Sequence, residues 1–322
     1  MGGDQAPEAA VLGALQAARR HDLRVALVGV ADRLRVELTR HGADTELATV
    51  VDAPDTIGMD EAPLAALRRK PRASVRVAAA MVARGDAGAF FSAGHTGATF
   101  LSAHAAFGVL DGVDRPALAV TVPTRAGAAV LLDAGANVDC RPEHLVQFAV
   151  LGAAYARVSL GIERARVGLL SIGEEAGKGT DLVREAHARL TASTLDFIGN
   201  LEAREFFSGR ADVIVCDGFT GNVALKVGEG LVEAAEDMLR EELGADAVSR
   251  LGSLLTRRAF ERFKHRVDYA ERGGAPLLGV RGVAVVGHGR SSPQAIENGI
   301  ALAARLSRGR MVERLADALK GR

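Results

Sequence analysis

Four glycine-rich stretches hold the residues best suited to chemistry: SAGHTG (92–97), SIGEEAGKGTD (171–181), CDGFTGN (216–222) and GHGRSS (287–292). Each follows an apolar run and precedes a helical pattern. Glycine lets the backbone come close to a ligand and take a positive φ. The helix start that follows offers free N–H groups and a positive dipole end. Together these make sites for anions, phosphate above all. The candidate residues are Gly94, His95, Thr96 and Gly97 in the first stretch, and Lys178 in the second. The third gives Asp217, Gly218, Thr220, Gly221 and Asn222, with Lys226 one turn on, and the fourth gives His288. A fifth stretch, LLDAGANVDC (131–140), sets Asn137 and Asp139 between an apolar run and a helix, where they either cap that helix or reach the pocket.

Each stretch also has a plainer reading. A single glycine-rich strand-to-helix turn is more often only a turn. Ser292-Pro293 is an N-cap followed by proline at the first helical position, and Asp217-Gly218 is a common turn pair. The case for ligand binding rests on four such turns at one predicted sheet edge.

Other chemistries lack their patterns. No stretch matches GxxxxGK[ST], and GHG at 287–289 supplies only the first two glycines of a dinucleotide fingerprint. There is no GxSxG, and His95, His104, His144 and His288 make no metal-binding spacing, so no metal is expected. Glu174 and Glu175 are adjacent and point apart, which suits a solvated loop better than an acid–base pair.

Only five of the forty basic residues are lysine: Lys70, Lys178, Lys226, Lys264 and Lys320. A lysine kept in so arginine-rich a chain is a candidate for work that the wider guanidinium cannot do.

The 322 residues are 48% hydrophobic, with forty acidic residues against forty basic ones. That is a globular chain with no global pull toward nucleic acid. Aromatics at 4% and the absence of tryptophan argue against base-stacking platforms. Cys140 and Cys216 are far apart in sequence, which suits a reducing, cytoplasmic setting. No signal-like start and no run of about 18 apolar residues is present.

The elements that must position these turns alternate. Strands are predicted at 23–28, 87–91, 118–122, 128–132, 166–172, 211–216 and 282–286. Helices are predicted at 75–84, 96–107, 143–160, 181–190, 223–243 and 293–306. Apolar strands followed by helices predict a mostly parallel sheet buried on both faces, an α/β doubly wound fold.

Taken in order, MGGDQAP, SAGHTGA, DRPALAV, LLDAGANVDC, LLSIGEEAGKG, IVCDGFTGNVALK, GGAPLLGVRGV and VVGHGRSS resemble the phosphate acyltransferases of bacterial phospholipid synthesis, the PlsX family. The matches run from residue 1 to about residue 292. The resemblance implies a three-layer α/β/α fold related to phosphotransacetylases and isocitrate-type dehydrogenases, formed by residues 1–322 as a single domain with a helical protrusion at about 228–266. It implies transfer of a long-chain acyl group from acyl-ACP to inorganic phosphate, with no cofactor. It also implies a homodimer, and hand-over of acyl phosphate to a membrane glycerol-3-phosphate acyltransferase. Nucleic acid is not an expected partner.

For that reaction the protein must align phosphate with the thioester carbonyl and stabilise an oxyanion. Backbone N–H groups of 94–97 and 218–222 are expected to hold phosphate. Lys178, or in its place Lys226, takes the phosphate charge. Asn222 or His95 takes the oxyanion, and His288 handles a proton.

Three features depart from the family pattern. The family carries a strand before its MGGD, whereas this sequence starts at that methionine. It has asparagine at the place of His95, and serine at the place of Gly287. A dinucleotide-dependent dehydrogenase on a related fold, or a non-catalytic acyl- or ACP-binding protein, are the alternative readings.

Residues 245–266 form a separate case. Val248, Leu251, Leu255 and Phe260 fall at roughly helical spacing, and six basic residues including Arg257 and Arg258 face one acid between Ser249 and Arg266. Such a helix suits either an anionic membrane surface or ACP, giving peripheral membrane association, or it is a dimer-interface helix with a solvated basic face.

Overall fold

The computed structural model describes residues 2–42, 47–267 and 273–320. The chain opens with α1 (Glu8–His21), β1 (Val25–Gly29), α2 (Ala31–Arg40) and β2 (Ala48–Asp52). It continues through α3 (Pro63–Arg69), α4 (Ser74–Ala83), β3 (Phe90–Ser92), α5 (Thr96–Phe107), β4 (Ala117–Thr124), β5 (Gly127–Leu132) and α6 (Pro142–Leu160). Next come β6 (Arg166–Ser171), α7 (Asp181–Thr191), β7 (Asp196–Glu202), β8 (Val213–Val215), α8 (Gly218–Gly244) and α9 (Ala247–Val267). The chain closes with β9 (Ala275–Leu278), β10 (Ala284–Val286), α10 (Pro293–Arg308) and α11 (Met311–Lys320).

Eight strands form the main sheet in the order β3-β10-β9-β4-β5-β8-β6-β7. The strands of its core have no polar side to offer water. Leu131, Leu132, Val213, Val215, Val285 and Leu278 are all buried, as continuous apolar runs require when helices cover both faces. One face packs on α6, α7, α10 and α11 through Leu145, Phe148, Leu151, Leu190, Leu302 and Leu315. The other packs on α4 and α5 through Ala79, Ala103 and Phe107, and on the start of α8 through Ala224 and Leu225. The result is the expected three-layer α/β/α arrangement, with a mixed sheet in place of a uniformly parallel one.

The departure from parallel order has a local cause. Only Arg125 and Ala126 separate β4 from β5, too few for a crossover, so the two pair antiparallel. The short strand β9, which the sequence pattern does not predict, is antiparallel to both β10 and β4. It contains Pro276, a residue that normally argues against a central strand. In consequence β3, β10 and β4 run one way and β9, β5, β8, β6 and β7 the other. The glycine-rich turns therefore do not share one sheet edge. Those after β3 and β10 lie at one edge, and those after β5, β8 and β6 at the opposite one.

β1 and β2 form a separate two-stranded parallel sheet. β1 pairs with β2 alone, and β3 pairs with β10 alone, among the described residues. Their open edges line a cavity of about 640 Å³, walled also by α1, α4 and α10. Gly2, Gly94 and Gly289 stand among its lining residues.

α8 and α9 pack on each other as a hairpin. Asp246 caps α9, accepting from the N–H groups of Val248 (2.8 Å) and Ser249 (2.9 Å). Phe219, Val223, Val227 and Leu231 recur every four residues along α8 and are between 45% and 67% exposed. On α9, Leu255, Arg257 and Arg258 are exposed and Phe260 is half-buried; the side chain of Leu251 lies outside the described residues.

Candidate functional site

The chemistry-bearing turns assemble in sets. In the first, the N-terminal Gly2–Asp4 segment, SAGHTG and GHGRSS pack backbone to backbone. Asp4 donates its N–H to the Gly289 carbonyl at 2.9 Å, and Gly287 donates to the Ser92 carbonyl at 2.8 Å. A Cβ on Gly2 would stand 2.8 Å from the Gly94 Cα. The glycines are needed here because the turns touch one another.

His95 is the N-cap of α5. Its Nδ1 accepts from the N–H groups of Gly97 (3.1 Å) and Ala98 (3.4 Å), so the proton sits on Nε2, which donates to the Glu61 carbonyl at 3.1 Å. Both ring nitrogens are engaged, and the Gly97 N–H is spent on the cap. Thr96 is exposed at the first helical position and Gly94 is buried. His288 is exposed, with Nδ1 accepting from the Arg290 N–H at 3.3 Å.

The second set is built on Asp133, which sequence reasoning did not single out. It directly follows β5, is fully buried, and has five donors around its carboxylate. The N–H groups of Leu118 (3.0 Å), Gly135 (3.3 Å) and Ala136 (3.2 Å) meet Oδ1. The N–H (2.6 Å) and Nδ2 (2.9 Å) of Asn137 meet Oδ2. Burial pushes the Asp133 carboxyl above its ordinary range, against the pull of these donors. Asn137 is itself buried, and its amide also donates to the Pro116 carbonyl at 2.8 Å. Its side chain thus faces the framework.

The Asn137 carbonyl accepts from the Gly218 N–H at 2.7 Å, which ties this turn to the start of α8. There Asp217 caps the helix, accepting from the Thr220 N–H at 2.9 Å and its hydroxyl at 2.7 Å. A Cβ on Gly221 would lie 1.9 Å from the Asp133 carbonyl oxygen, so only glycine lets α8 start here. Asn222 is exposed beside Gly135. Ala134 and Ala136 join the apolar cluster that also holds Phe100 and Phe107 of α5, so this turn shares a sheet face with α5.

The third turn carries Lys178, exposed after β6. The loop is braced from beneath: Asn200 donates to the Glu175 carbonyl at 2.9 Å, and His187 contacts the Asn200 side chain at 3.0 Å. Neither the Lys178 ammonium nor the Asn222 amide has a hydrogen-bond or ion-pair partner among the described residues. Lys226 stands 3.7 Å from Glu229. The backbone donors expected to cradle phosphate at Gly97, Gly218, Thr220 and Gly221 are taken up internally. Exposed side chains and helix dipoles are what this surface offers an anion.

Neither cysteine is openly exposed: Cys216 is buried and Cys140 half-buried. Burial, followed by the charges of Asp133 and Asp217, pushes the Cys140 thiol up to about 11. Burial also drives the Cys216 thiol well above its ordinary value. Among the described residues, no three His, Cys, Asp or Glu side chains converge as a metal site. No described helix is long and apolar enough to cross a membrane.

Asp133 had a signal in the sequence: an acid placed directly after a run of buried aliphatics and before a string of small residues. Glu61 and Asn200 had none, since each acts through a loop remote in sequence from its partner.

A family described as a fatty acid synthesis protein matches residues 1–314. The chain is 47% identical over 320 residues to the phosphate acyltransferase of Geobacter sulfurreducens, covering 99% of this chain and 92% of that one. It is 49% identical over 305 residues to that of Acidobacterium capsulatum, covering 94% and 90%. Among solved structures, a Streptococcus pyogenes phosphotransacetylase superposes with a TM-score of 0.62 at 19% identity, covering 96% and 92% of the two chains. A 4-hydroxythreonine-4-phosphate dehydrogenase from Klebsiella pneumoniae reaches 0.53 at 15% identity, covering 94% and 95%. These two likenesses carry the fold alone. The chain belongs to the fatty acid synthesis protein family, the PlsX-type phosphate acyltransferases that its motifs resemble.

Proposed function

We propose that this chain transfers a fatty acyl group from acyl-ACP to inorganic phosphate, giving acyl phosphate for phospholipid synthesis. The observation that carries this reading is near-half identity, over nearly the whole length, to relatives named phosphate acyltransferase. A phosphate oxygen attacks the thioester carbonyl, a C–O bond forms, and the C–S bond breaks. The ACP thiol leaves with a proton. No covalent enzyme intermediate is needed, which agrees with the burial of the cysteines.

We assign the phosphate charge to Lys178, whose ammonium is exposed and has no partner among the described residues, and the developing oxyanion to the Asn222 amide. His288, in a turn at the sheet edge opposite Lys178 and Asn222, is given the proton step on the family resemblance alone. The α5 N-terminus, with Thr96 and the helix dipole, is a second anion-attracting surface, on the sheet face it shares with the Asn137 turn. His95, Asn137, Asp217, Thr220 and the glycines at 94, 97, 218 and 221 hold the turns in place. A dehydrogenase reading finds no complete glycine fingerprint here.

Residues 1–322 act as one unit whose α8–α9 hairpin makes its external contacts. The apolar stripe on α8 suits a second copy of the chain. Basic α9, with Leu255, Arg257, Arg258 and Phe260, suits the anionic surface of a membrane or of ACP, placing the enzyme at the cytoplasmic face beside a glycerol-3-phosphate acyltransferase. Sedimentation with vesicles with and without anionic lipid tests the membrane contact; equal binding to both argues against it.

The test of the activity is phosphate-dependent release of ACP from palmitoyl-ACP, with mass detection of acyl phosphate. A folded protein that yields none would overturn the reading.

A further inference from the structure

Lys70 is one of the lysines whose retention the reaction does not explain. It sits at the C-terminal end of α3, 29% exposed, and its ammonium makes two short bonds: to the Thr56 carbonyl at 2.6 Å and to Glu61 Oε1 at 2.5 Å. The same carboxylate oxygen accepts from the Gly58 N–H at 2.7 Å. The Lys70 bond, and then the Gly58 N–H, hold the Glu61 carboxyl below its ordinary range. Residues 56–61 are thereby drawn into a closed strap around one small cation. A guanidinium is too wide and too flat to replace it there.

The strap lies over the first set of turns. The Glu61 carbonyl accepts from His95 Nε2. Pro63, just past the strap, would stand 3.1 Å from a Cβ at Gly97, and Met59 at its tip would stand 3.4 Å from one at Gly289. The chain of contacts runs Lys70, Glu61, His95, then the Gly97 and Ala98 amides at the start of α5. An asparagine at position 95 would still cap α5, but its shorter side chain would not reach the Glu61 carbonyl.

We propose that Lys70 is a positioning residue for phosphate, acting through Glu61 and His95 to fix the SAGHTG turn against the strap. This rests on the reading that the α5 N-terminus faces phosphate. His95 is then the coupling element, capping α5 through Nδ1 and meeting the strap through Nε2.

The test is a double-mutant cycle of Lys70→Ala and His95→Asn, with Glu61→Gln as a milder variant that keeps the side-chain shape. Two quantities are read: amide exchange at Gly97 and Ala98, and the KM for phosphate against kcat. In the parent sequence Lys70→Ala should speed exchange at both amides and raise the phosphate KM by roughly tenfold, with kcat changed less. In the His95→Asn background the same substitution should add less than about twofold to either quantity. Glu61→Gln should fall between the parent and Lys70→Ala.

Unchanged exchange in both Lys70→Ala and Glu61→Gln would overturn the proposal while leaving the phosphate assignment intact. Equal effects of Lys70→Ala in the two backgrounds would also overturn it, since Lys70 would then act by another route. Faster exchange with an unchanged phosphate KM would refute the phosphate assignment of the α5 turn, and the proposal with it.

Discussion

Asp133→Ala is the substitution with the largest expected structural effect, and its magnitude follows from the donors it would strand. Five N–H bonds converge on this fully buried carboxylate. The N–H groups of Leu118 and Asn137 are themselves buried, and each stranded buried donor costs about 1–3 kcal/mol. The donors of exposed Gly135 and half-buried Ala136 can recover water and add less. The vacated carboxylate volume also admits a water, which offsets part of the loss. The net destabilisation should be about 3–5 kcal/mol. Asp133→Asn keeps an acceptor for three donors but turns an NH2 toward the Asn137 N–H, and should cost about 1–3 kcal/mol.

Urea unfolding at pH 7 measures both variants. Because Asn137 holds the Gly218 N–H, the folded fraction should also lose turnover as Asn222 shifts. Unfolding of Asp133→Ala within about 0.5 kcal/mol of the parent would refute the reasoning, since that is the range of a neutral surface change.

Other expectations follow from single contacts. Lys178→Ala should lower kcat by about a hundredfold or more with little change in stability, because an exposed group acting on transition-state charge has no structural partner to lose; near-normal turnover would remove it from the mechanism. Gly221→Ala forces a Cβ to within 1.9 Å of the Asp133 carbonyl oxygen and should destabilise by about 1–3 kcal/mol, read as a lower thermal midpoint. Asp212 is buried enough to favour protonation, but its bonds to the Arg166 side chain and N–H outweigh that and hold its carboxyl below the usual range. Its contribution to stability is therefore present above the unfolded carboxylate value of about 3.9 and is lost as pH falls through the lowered folded value. Asp212→Asn should accordingly destabilise at pH 7 and much less at the acid end, and equal loss at both would contradict the pairing.

Residues 96–107 illustrate what local sequence fixes. A capping residue, small helix formers and a closing Gly108 specify α5 to the residue, and the same holds for Ser292-Pro293 at the start of α10. The apolar runs at 128–132 and 166–172 are short and continuous enough to read as buried strands. The family resemblance was carried by whole motifs, each longer than a single turn. By contrast β9 is not legible because Pro276 contradicts the usual rule for central strands, nor is β7, because Gly199 breaks its pattern at a bulge. That one antiparallel strand, with the tight β4–β5 connection, reverses the sheet and divides the turns between two edges, which no local pattern encodes.

The sequence by itself determined which side chains are chemically equipped: Lys178, Asn222 and His288, set in turns that leave them in water. Their types and their neighbours are local properties. Only the tertiary structure decided which polar residues are spent on the framework. Asn137, Asp217 and His95 look like ligand-binding residues in the sequence, yet each meets its hydrogen-bond partners inside the protein, because a buried or capping group must satisfy its donors and acceptors wherever the fold supplies them. The same requirement sets Asp133 beneath one turn and Lys70 beneath another, through partners that only the folded chain brings within reach.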